Sequence, residues 1–124
     1  RGLDAESHLK LGEALRPILV QNVLVIGSGF SFHNMNAFTW RPNGEPDLAN
    51  ENFQDWLIET VTQPSYTDTR DRLLNWEQAP SARYCHPREE HLLPLMVCAG
   101  LAQSPAEVIF DDNILGKRGL AFGW

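Results

Sequence analysis

The sequence has little cysteine, few basic residues and no long apolar stretch, and each shortage excludes a class of protein. Two cysteines among 124 residues cannot make a disulfide framework, so we expect a reducing, cytoplasmic setting. Ten Lys and Arg against 16 Asp and Glu give a formal net charge of −6 without any basic cluster, which argues against nucleic acid as a partner. The longest charge-free apolar run, residues 92–102, is too short to span a bilayer, so we expect no membrane partner.

The composition that remains is that of an ordinary folded chain. Hydrophobic residues make up 43% and charged residues 21%, which are globular values, and the length fits one domain or part of one. The first residue is Arg1, directly in front of a helix cap, and we expect the chain to be a piece of something longer.

The apolar pattern of the first 30 residues indicates the fold class. Asp4 precedes leucines at helical spacing, which predicts a capped amphipathic helix with Pro17 in its last turn. Residues 22–27 (NVLVIG) form an unbroken apolar run ending in glycine, which is typical of a strand buried on both faces. A helix followed by such a strand predicts an α/β fold, a layered sheet with helices on both faces.

The rest of the chain predicts further helices and two more strands. We expect helices over about 51–61 and 66–78, an extended link over 79–85, and strands over 107–110 and 120–124. From residue 86 to 102 we expect a helix with Pro87 in its first turn, buried because it is apolar all round from residue 92. Pro94 inside this helix removes a backbone donor, so we expect a distortion beside His91.

Three of the four histidines lie where an imidazole can do chemistry. His33 follows the predicted buried strand, at the strand end where open α/β sheets bind ligands. It is either a loop histidine bonded to backbone or an acid/base or metal-site residue, and its position favours the second. His86 and His91 are five residues apart and so not on one helical face, which means that at most one or two residues of their segment reach a common site. His91 enters an apolar helix, where its ring nitrogens need partners, and a metal ion would be one.

The other reactive side chains predict no chemistry. His8 lies on the first helix among charged residues, and we expect a solvated side chain without a role. Cys85 neighbours His86, but a cysteine nucleophile needs a base within hydrogen-bond reach, and adjacent residues in an extended link point apart. We expect Cys85 and Cys98 to be packing residues.

Two motifs together resemble one known family. Residues 28–35 (SGFSFHNM) and 86–95 (HPREEHLLPL) are similar, in this order, to the SG-x-x-x-HN turn and the H-P-x-x-EH-x-x-PL helix start of the class III extradiol ring-cleavage dioxygenases. Within that LigB superfamily they resemble the DOPA 4,5-dioxygenase-like branch, and residues 3–15 resemble its helix before the turn. The resemblance implies that residues 1–124 are the C-terminal part of a larger catalytic domain.

The resemblance also implies roles for four residues. His33 would be the catalytic acid/base over the substrate, and His91 would be a ligand of a non-haem Fe(II), for which zinc can stand in after isolation. Asn34 and His86 would line the substrate pocket. The implied substrates are O2 and a catechol such as DOPA or another small aromatic diol. The ring would open next to the two hydroxyls and give a yellow semialdehyde.

The chain departs from the family in length. Family members are much longer, and two further metal-binding histidines come from their N-terminal half, which this sequence does not contain. An open Fe(II) site needs three protein ligands, so we expect the chain to be inactive alone. The expected partner is the N-terminal half of the same enzyme, as a separate or cleaved chain, and a homo-oligomer is also open.

Two other functions stay open at this point. A member of the same fold can bind a metal or a partner without cleaving a ring, because fold does not decide function. An α/β domain with purely structural histidines is the remaining alternative, and the coincidence of the two motifs argues against it.

Overall fold

The fold mixes helices with a small sheet, and the predicted α/β class is confirmed. A computed structural model describes residues 4–39 and 45–124. The helices are α1 (Ala5–Leu15), α2 (Leu48–Thr62), α3 (Tyr66–Leu74), α4 (Ala82–Cys85) and α5 (Leu93–Ala102). Three 3-10 turns cover Arg16–Gln21, Met35–Ala37 and Trp76–Gln78, and the strands are β1 (Glu107–Ile114) and β2 (Lys117–Gly123).

Helix α1 begins as predicted and packs closely on α5. The Asp4 side chain accepts a hydrogen bond from the Ser7 N–H at 2.7 Å, which caps the first turn. Glycines allow the close approach, since a Cβ at Gly12 or at Gly100 would run into backbone of the facing helix. After the C-terminal end of α1, the Arg16 guanidinium donates hydrogen bonds to the last two carbonyls of α5. The negative end of the α5 helix dipole also favours a cation there.

The core lies between α2, α3 and α5. The helices predicted over 51–61 and 66–78 are confirmed, although the second ends at Leu74 and a separate 3-10 turn follows it. Phe53, Leu57, Leu73 and Trp76 turn inward from α2, α3 and the turn that follows them. Helix α2 begins three residues earlier than predicted, because the Asp47 side chain accepts from the Asn50 N–H and caps it.

The predictions for the start, the distortion and the burial of α5, and for the link before it, are wrong, and the position of Pro94 explains the first two. Residues 87–92 form bends and turns, and α5 begins only at Leu93. Pro94 therefore lies in the first turn, where its missing N–H has no helical partner to lose, and it starts the helix instead of distorting it. The predicted extended link over 79–85 contains the short helix α4, which follows Ser81 in a left-handed conformation (φ 57°). One face of α5 is buried and the other is half-exposed, so it is not buried all round.

Residues 23–27 are extended but belong to no strand, and Asn22 before them is a left-handed turn residue (φ 55°). Leu24 is 82% exposed and Ile26 is 78% exposed, so the predicted burial on both faces is wrong for this chain. Within 4–39 and 45–124, no backbone-to-backbone hydrogen bond joins residues 23–30 to another segment. A β-strand is defined by backbone hydrogen bonds to a neighbouring strand, and this segment makes no such bonds with the described residues.

The two C-terminal strands are confirmed and form an antiparallel hairpin. Their turn at Leu115 and Gly116 has positive φ at both residues (55° and 82°), as tight hairpin turns require. Strand β1 is exposed along its length, whereas β2 faces the core with Leu120. Cys85 and Cys98 are both free, and Cys85 is fully buried, as a packing residue should be. Across the part of the chain that the structure describes, no helix combines the length and apolarity needed to cross a bilayer.

Candidate functional site

The two histidines singled out by position lie in direct contact. The rings of His33 and His91 stack with centroids 3.4 Å apart and an interplanar angle of 19°. His33 comes from the turn after the extended segment, and His91 from the turn in front of α5, so two distant parts of the sequence meet here. Both side chains are half-buried. The structure thus brings together one predicted acid/base residue and one predicted metal ligand.

The surroundings of His33 favour the neutral imidazole. Burial lowers the pKa of His33, and the neighbouring His91 lowers it further, while the nearby carboxylate of Glu90 acts in the opposite direction. A histidine with a lowered pKa is uncharged at neutral pH and has a free ring nitrogen that can accept a proton. His33 is therefore suited to the role of general base.

His91 and its neighbour Glu90 carry buried polar atoms without hydrogen bonds. Nδ1 of His91 and Oε2 of Glu90 have no hydrogen-bond partner among the described residues, although Glu90 Oε2 lies 3.2 Å from the Arg88 Nε. A buried ring nitrogen without a partner is costly, and a metal ion is one group that satisfies it. An imidazole is a good ligand for iron and for zinc. The described residues hold no group of three or more His, Cys, Asp or Glu able to bind a metal, so a metal ion at His91 would need further ligands.

His86 lies behind the His33 turn, with no exposed surface. Its Nε2–H donates to the Ser31 carbonyl at 2.8 Å, and its ring contacts Phe53 and Trp76 (centroids 5.4 and 6.2 Å). Burial lowers the pKa of His86 to about 4, despite the opposing hydrogen bond to Ser31. It lines neither of the two cavities described below, and its role as a substrate-binding residue stays a prediction.

Asn34 uses its amide to hold the turn. Its Nδ2 donates to the Tyr84 carbonyl at 2.8 Å, and its Oδ1 accepts from the Asn36 N–H at 3.2 Å. The side chain is half-buried and directly follows His33. A contact between Asn34 and substrate stays a prediction. His8 has a local bond of its own, between Nδ1 and the Asp4 carbonyl.

Behind the turn lies a buried ion pair that the sequence did not reveal. Lys117 and Asp47 form a hydrogen-bonded ion pair, and the Tyr84 hydroxyl donates to the same carboxylate at 2.6 Å. Burial by itself would raise the pKa of Asp47, but the bonds from Lys117 and Tyr84 outweigh it and the pKa is lowered. The partners are 70 residues apart, so no local pattern could have paired them.

Gln54 is a second residue that the sequence analysis missed. It lies fully buried on the inner face of α2, between the apolar residues Phe53 and Leu57. Its Nε2 donates to the Ser31 carbonyl at 3.0 Å. A glutamine in line with the apolar positions of an amphipathic helix is the signal that could have drawn attention to it.

A large apolar cavity adjoins His91. It has a volume of about 640 Å³ and lies between the extended segment, the half-exposed face of α5 and the end of β2. A smaller cavity of about 350 Å³ also borders the extended segment and reaches Glu90 and His8. The walls of the larger cavity are mostly aliphatic, with Ser31 and His91 among the few polar residues.

Comparison with solved structures supports the class of fold. The chain matches an uncharacterised protein of Escherichia coli K12 with a TM-score of 0.81 at 20% identity, over 94% of this chain and 48% of that one. At this identity the match shows a shared fold.

The family follows from the sequence comparisons. Residues 2–117 match the family model described as the catalytic LigB subunit of aromatic ring-opening dioxygenase, and the chain belongs to this family. It is 32% identical to the dioxygenase tasH of Hapsidospora irregularis, over 98% of this chain and 40% of that protein. It is 38% identical to a 4,5-DOPA dioxygenase extradiol of Mirabilis jalapa, over 80% of this chain and 36% of that protein. The corresponding protein of Portulaca grandiflora is 35% identical over 98% of this chain and 45% of its own length. The chain thus spans less than half the length of these curated relatives.

Proposed function

We propose that this chain is the C-terminal part of a non-haem iron dioxygenase that opens a catechol-type ring by extradiol cleavage. The observation that carries the proposal is the contact between His33 and His91, whose ring centroids are 3.4 Å apart. Each histidine belongs to one of the two motifs that resemble this family, and the family match covers both motifs. Two of these relatives are named 4,5-DOPA dioxygenase extradiol, which supports a small aromatic diol as the substrate class.

In this proposal His91 is a metal ligand. Its buried Nδ1 has no hydrogen-bond partner within the described residues, and imidazole suits both Fe(II) and the zinc that can replace it in isolated protein. When bound, Fe(II) supplies the redox chemistry that makes O2 reactive toward the diol. The other ligands come from outside this chain.

His33 is the proposed proton carrier. As a neutral imidazole beside His91, it takes a proton from a catechol hydroxyl and returns a proton later in the reaction. Asn34, the next residue, is a proposed substrate contact. The proposed ring opening occurs next to the pair of hydroxyls and yields a yellow semialdehyde.

The proposed partner is the N-terminal part of the same enzyme, which supplies the missing ligands and covers the apolar cavity. Three observations support it. The chain spans 36–45% of three named relatives. Among the described residues, His91 belongs to no group of three or more side chains that could hold a metal ion. The segment 23–30 has exposed aliphatic side chains and a backbone free of ladder bonds there, which a strand from a partner segment can satisfy.

The test is an oxygen-dependent ring-opening assay on the complete protein, meaning this chain joined to the proposed N-terminal part. The protein is loaded with Fe(II) without air and given DOPA or a simpler catechol, and O2 is then admitted. We expect a yellow product from cleavage next to the hydroxyls, and no turnover by the 124-residue chain alone.

Other outcomes would each remove part of the proposal. An Fe(II)-loaded complete protein that leaves all the catechols intact would indicate a member of the family that binds metal without ring cleavage. Turnover by the isolated chain would refute the need for a partner.

A further inference from the structure

The carbonyl of Ser31 accepts hydrogen bonds from two buried side chains. The donors are His86 Nε2 at 2.8 Å and Gln54 Nε2 at 3.0 Å, and neither side chain has any exposed surface. A carbonyl oxygen has two lone pairs, so both are occupied. The peptide that enters the His33 turn is therefore fixed from α2 on one side and from the 84–86 segment on the other.

The next residues of the turn are held as well. Three further bonds anchor it: the Ser31 hydroxyl accepts from the Leu120 N–H, the His33 N–H donates to the Cys85 carbonyl, and the Asn34 Nδ2 donates to the Tyr84 carbonyl, each at 2.8 Å. Of these contacts, only those of Gln54 and His86 reach the turn through fully buried polar side chains. The burial of these two polar side chains therefore needs an explanation.

Stability alone does not explain a glutamine at position 54. Gln54 Oε1 and His86 Nδ1 have no hydrogen-bond partner among the described residues, and an unsatisfied buried polar atom costs free energy. A methionine or leucine at this position would fill similar space without leaving that oxygen unpaired. What an apolar residue cannot supply is the second donor to the Ser31 carbonyl, together with the bond from the same nitrogen to Asn50 Oδ1 (2.8 Å).

We propose that Gln54, together with His86, is a positioning residue for His33. It holds the Ser31 carbonyl, and through the two peptides that follow it sets the place of the His33 ring against His91. The hydrogen bonds of Gln54 go to Ser31 and Asn50 rather than to either ring. His86 thereby acquires a role at the back of the turn that does not require contact with substrate. The effect on rate described below rests on the proposed function, whereas the effect on ring geometry does not.

The test compares Gln54→Met with Gln63→Met in the complete protein. Gln63 lies at the end of the same helix and donates to the Thr60 carbonyl, so its replacement loses a similar bond far from the turn. Proton NMR of protein labelled with 13C-histidine reports the stacked pair, because each ring shifts the resonances of the other. We expect Gln54→Met to shift the Cε1–H resonances of His33 and His91 and to leave that of His8 in place. Gln63→Met should leave all of them in place.

The kinetic readout separates positioning from a purely structural role. For ring opening, we expect Gln54→Met to lower kcat by about tenfold to a hundredfold with KM little changed, as for other supporting residues around catalytic groups. Gln54→Glu should recover part of the loss, since a buried carboxyl is neutral and its O–H can donate to the Ser31 carbonyl.

Three other results would count against the positioning role or against the proposed function. Resonances of His33 and His91 that are equal in Gln54→Met, Gln63→Met and wild type would overturn it. If both Gln54→Met and Gln54→Leu fail to fold, Gln54 is a structural residue and the proposal is wrong. If the wild type opens no catechol ring, the proposed function fails, and the NMR comparison still decides the positioning role.

Discussion

Two adjacent stretches of this chain differ sharply in how they are held. Residues 23–30 are extended, carry Leu24 and Ile26 in solvent, and make no backbone ladder bonds among the described residues. Residues 31–34 follow at once, and there Phe32 is fully buried and each of the other three residues is anchored by a hydrogen bond to another segment.

The difference teaches which parts of the candidate site this chain builds by itself. The turn that presents His33 is fixed by α2, β2 and the 84–86 segment, all of which lie within the chain. The segment that leads into the turn is held on one side by α5 and is open on the other. This chain thus forms the histidine pair by itself, while we propose that the sheet and the metal site need residues from outside the chain.

The largest expected effect falls on the anchored stretch. Phe32 is buried against Phe38 and Tyr84, with ring centroids at 5.4 and 6.0 Å. Phe32→Ala should lower the free energy of unfolding by about 3–5 kcal/mol, because it leaves a cavity and removes ring contacts. Urea unfolding of the 124-residue chain measures it, and a loss below about 1 kcal/mol would show that the turn is not part of the stable core.

The next effect concerns how stability depends on pH through His86, which lies behind the His33 turn. Burial lowers the pKa of His86 from 6.5 to about 4, so below pH 6.5 the unfolded chain takes up a proton that the folded chain excludes. The stability from this group is complete above pH 6.5 and is lost as the pH falls toward 4, by about 3 kcal/mol at most.

Unfolding measured from pH 7 to pH 4 tests this in wild type and in His86→Phe. The variant lacks the titrating ring, so its stability should fall less over this interval, whatever its stability at pH 7. Parallel curves for the two proteins would contradict the account.

A smaller effect is expected where the open stretch touches the turn in front of α5 and Pro94 at the start of the helix. A Cβ at Gly29 would meet the His91 carbonyl, which is backbone and cannot rotate away. Gly29→Ala should cost about 1–3 kcal/mol by overpacking and should push the segment off the helix. Gly123→Ala is the matched control, since its Cβ would come no closer than 3.2 Å to a side-chain methyl of Ile109. Equal unfolding midpoints for the two variants would mean that this contact is looser than described.

The smallest effect expected in the 124-residue chain sharpens the contrast between the stretches. Leu24 is 82% exposed, so Leu24→Ala should change the stability of the 124-residue chain by no more than about 0.5 kcal/mol. In the complete protein, where we propose that a partner strand covers it, the same change should cost about 2–5 kcal/mol. If Leu24→Ala is neutral in both settings, the segment is not the contact surface for the N-terminal part.

Much of the fold could be predicted where the signal is local. The residues that form the Asp4 cap are only a few positions apart in the sequence. The same holds for the residues along each apolar face of α1 and α2, and for the two strands of the hairpin. The start of α5 was misplaced because Pro87 and Pro94 both suit a first helical turn, and only packing decides between them. Residues 23–27 are extended and apolar as predicted, but they form no strand among the described residues, because pairing depends on neighbours that a local pattern does not contain.

The candidate site divides in the same way. The resemblance placed His33 and His91 in one site, and the structure brings their rings into contact. Their support was not predictable, because the bond from Gln54 to Ser31 joins residues 23 apart and that from His86 joins residues 55 apart. Such contacts follow from the tertiary packing of α2 and of the 84–86 segment against the turn.

The most direct test of the central claim separates the roles of the two stacked histidines. Fe(II) binding and the rate of ring opening are measured on the complete protein carrying His33→Ala, His91→Ala or, as a control, His8→Ala. We predict that His33→Ala binds Fe(II) like wild type but opens the ring about a hundredfold to ten-thousandfold more slowly. His91→Ala should lose Fe(II), and His8→Ala should match wild type in both. Normal ring opening by His33→Ala, or normal Fe(II) binding by His91→Ala, would contradict the account.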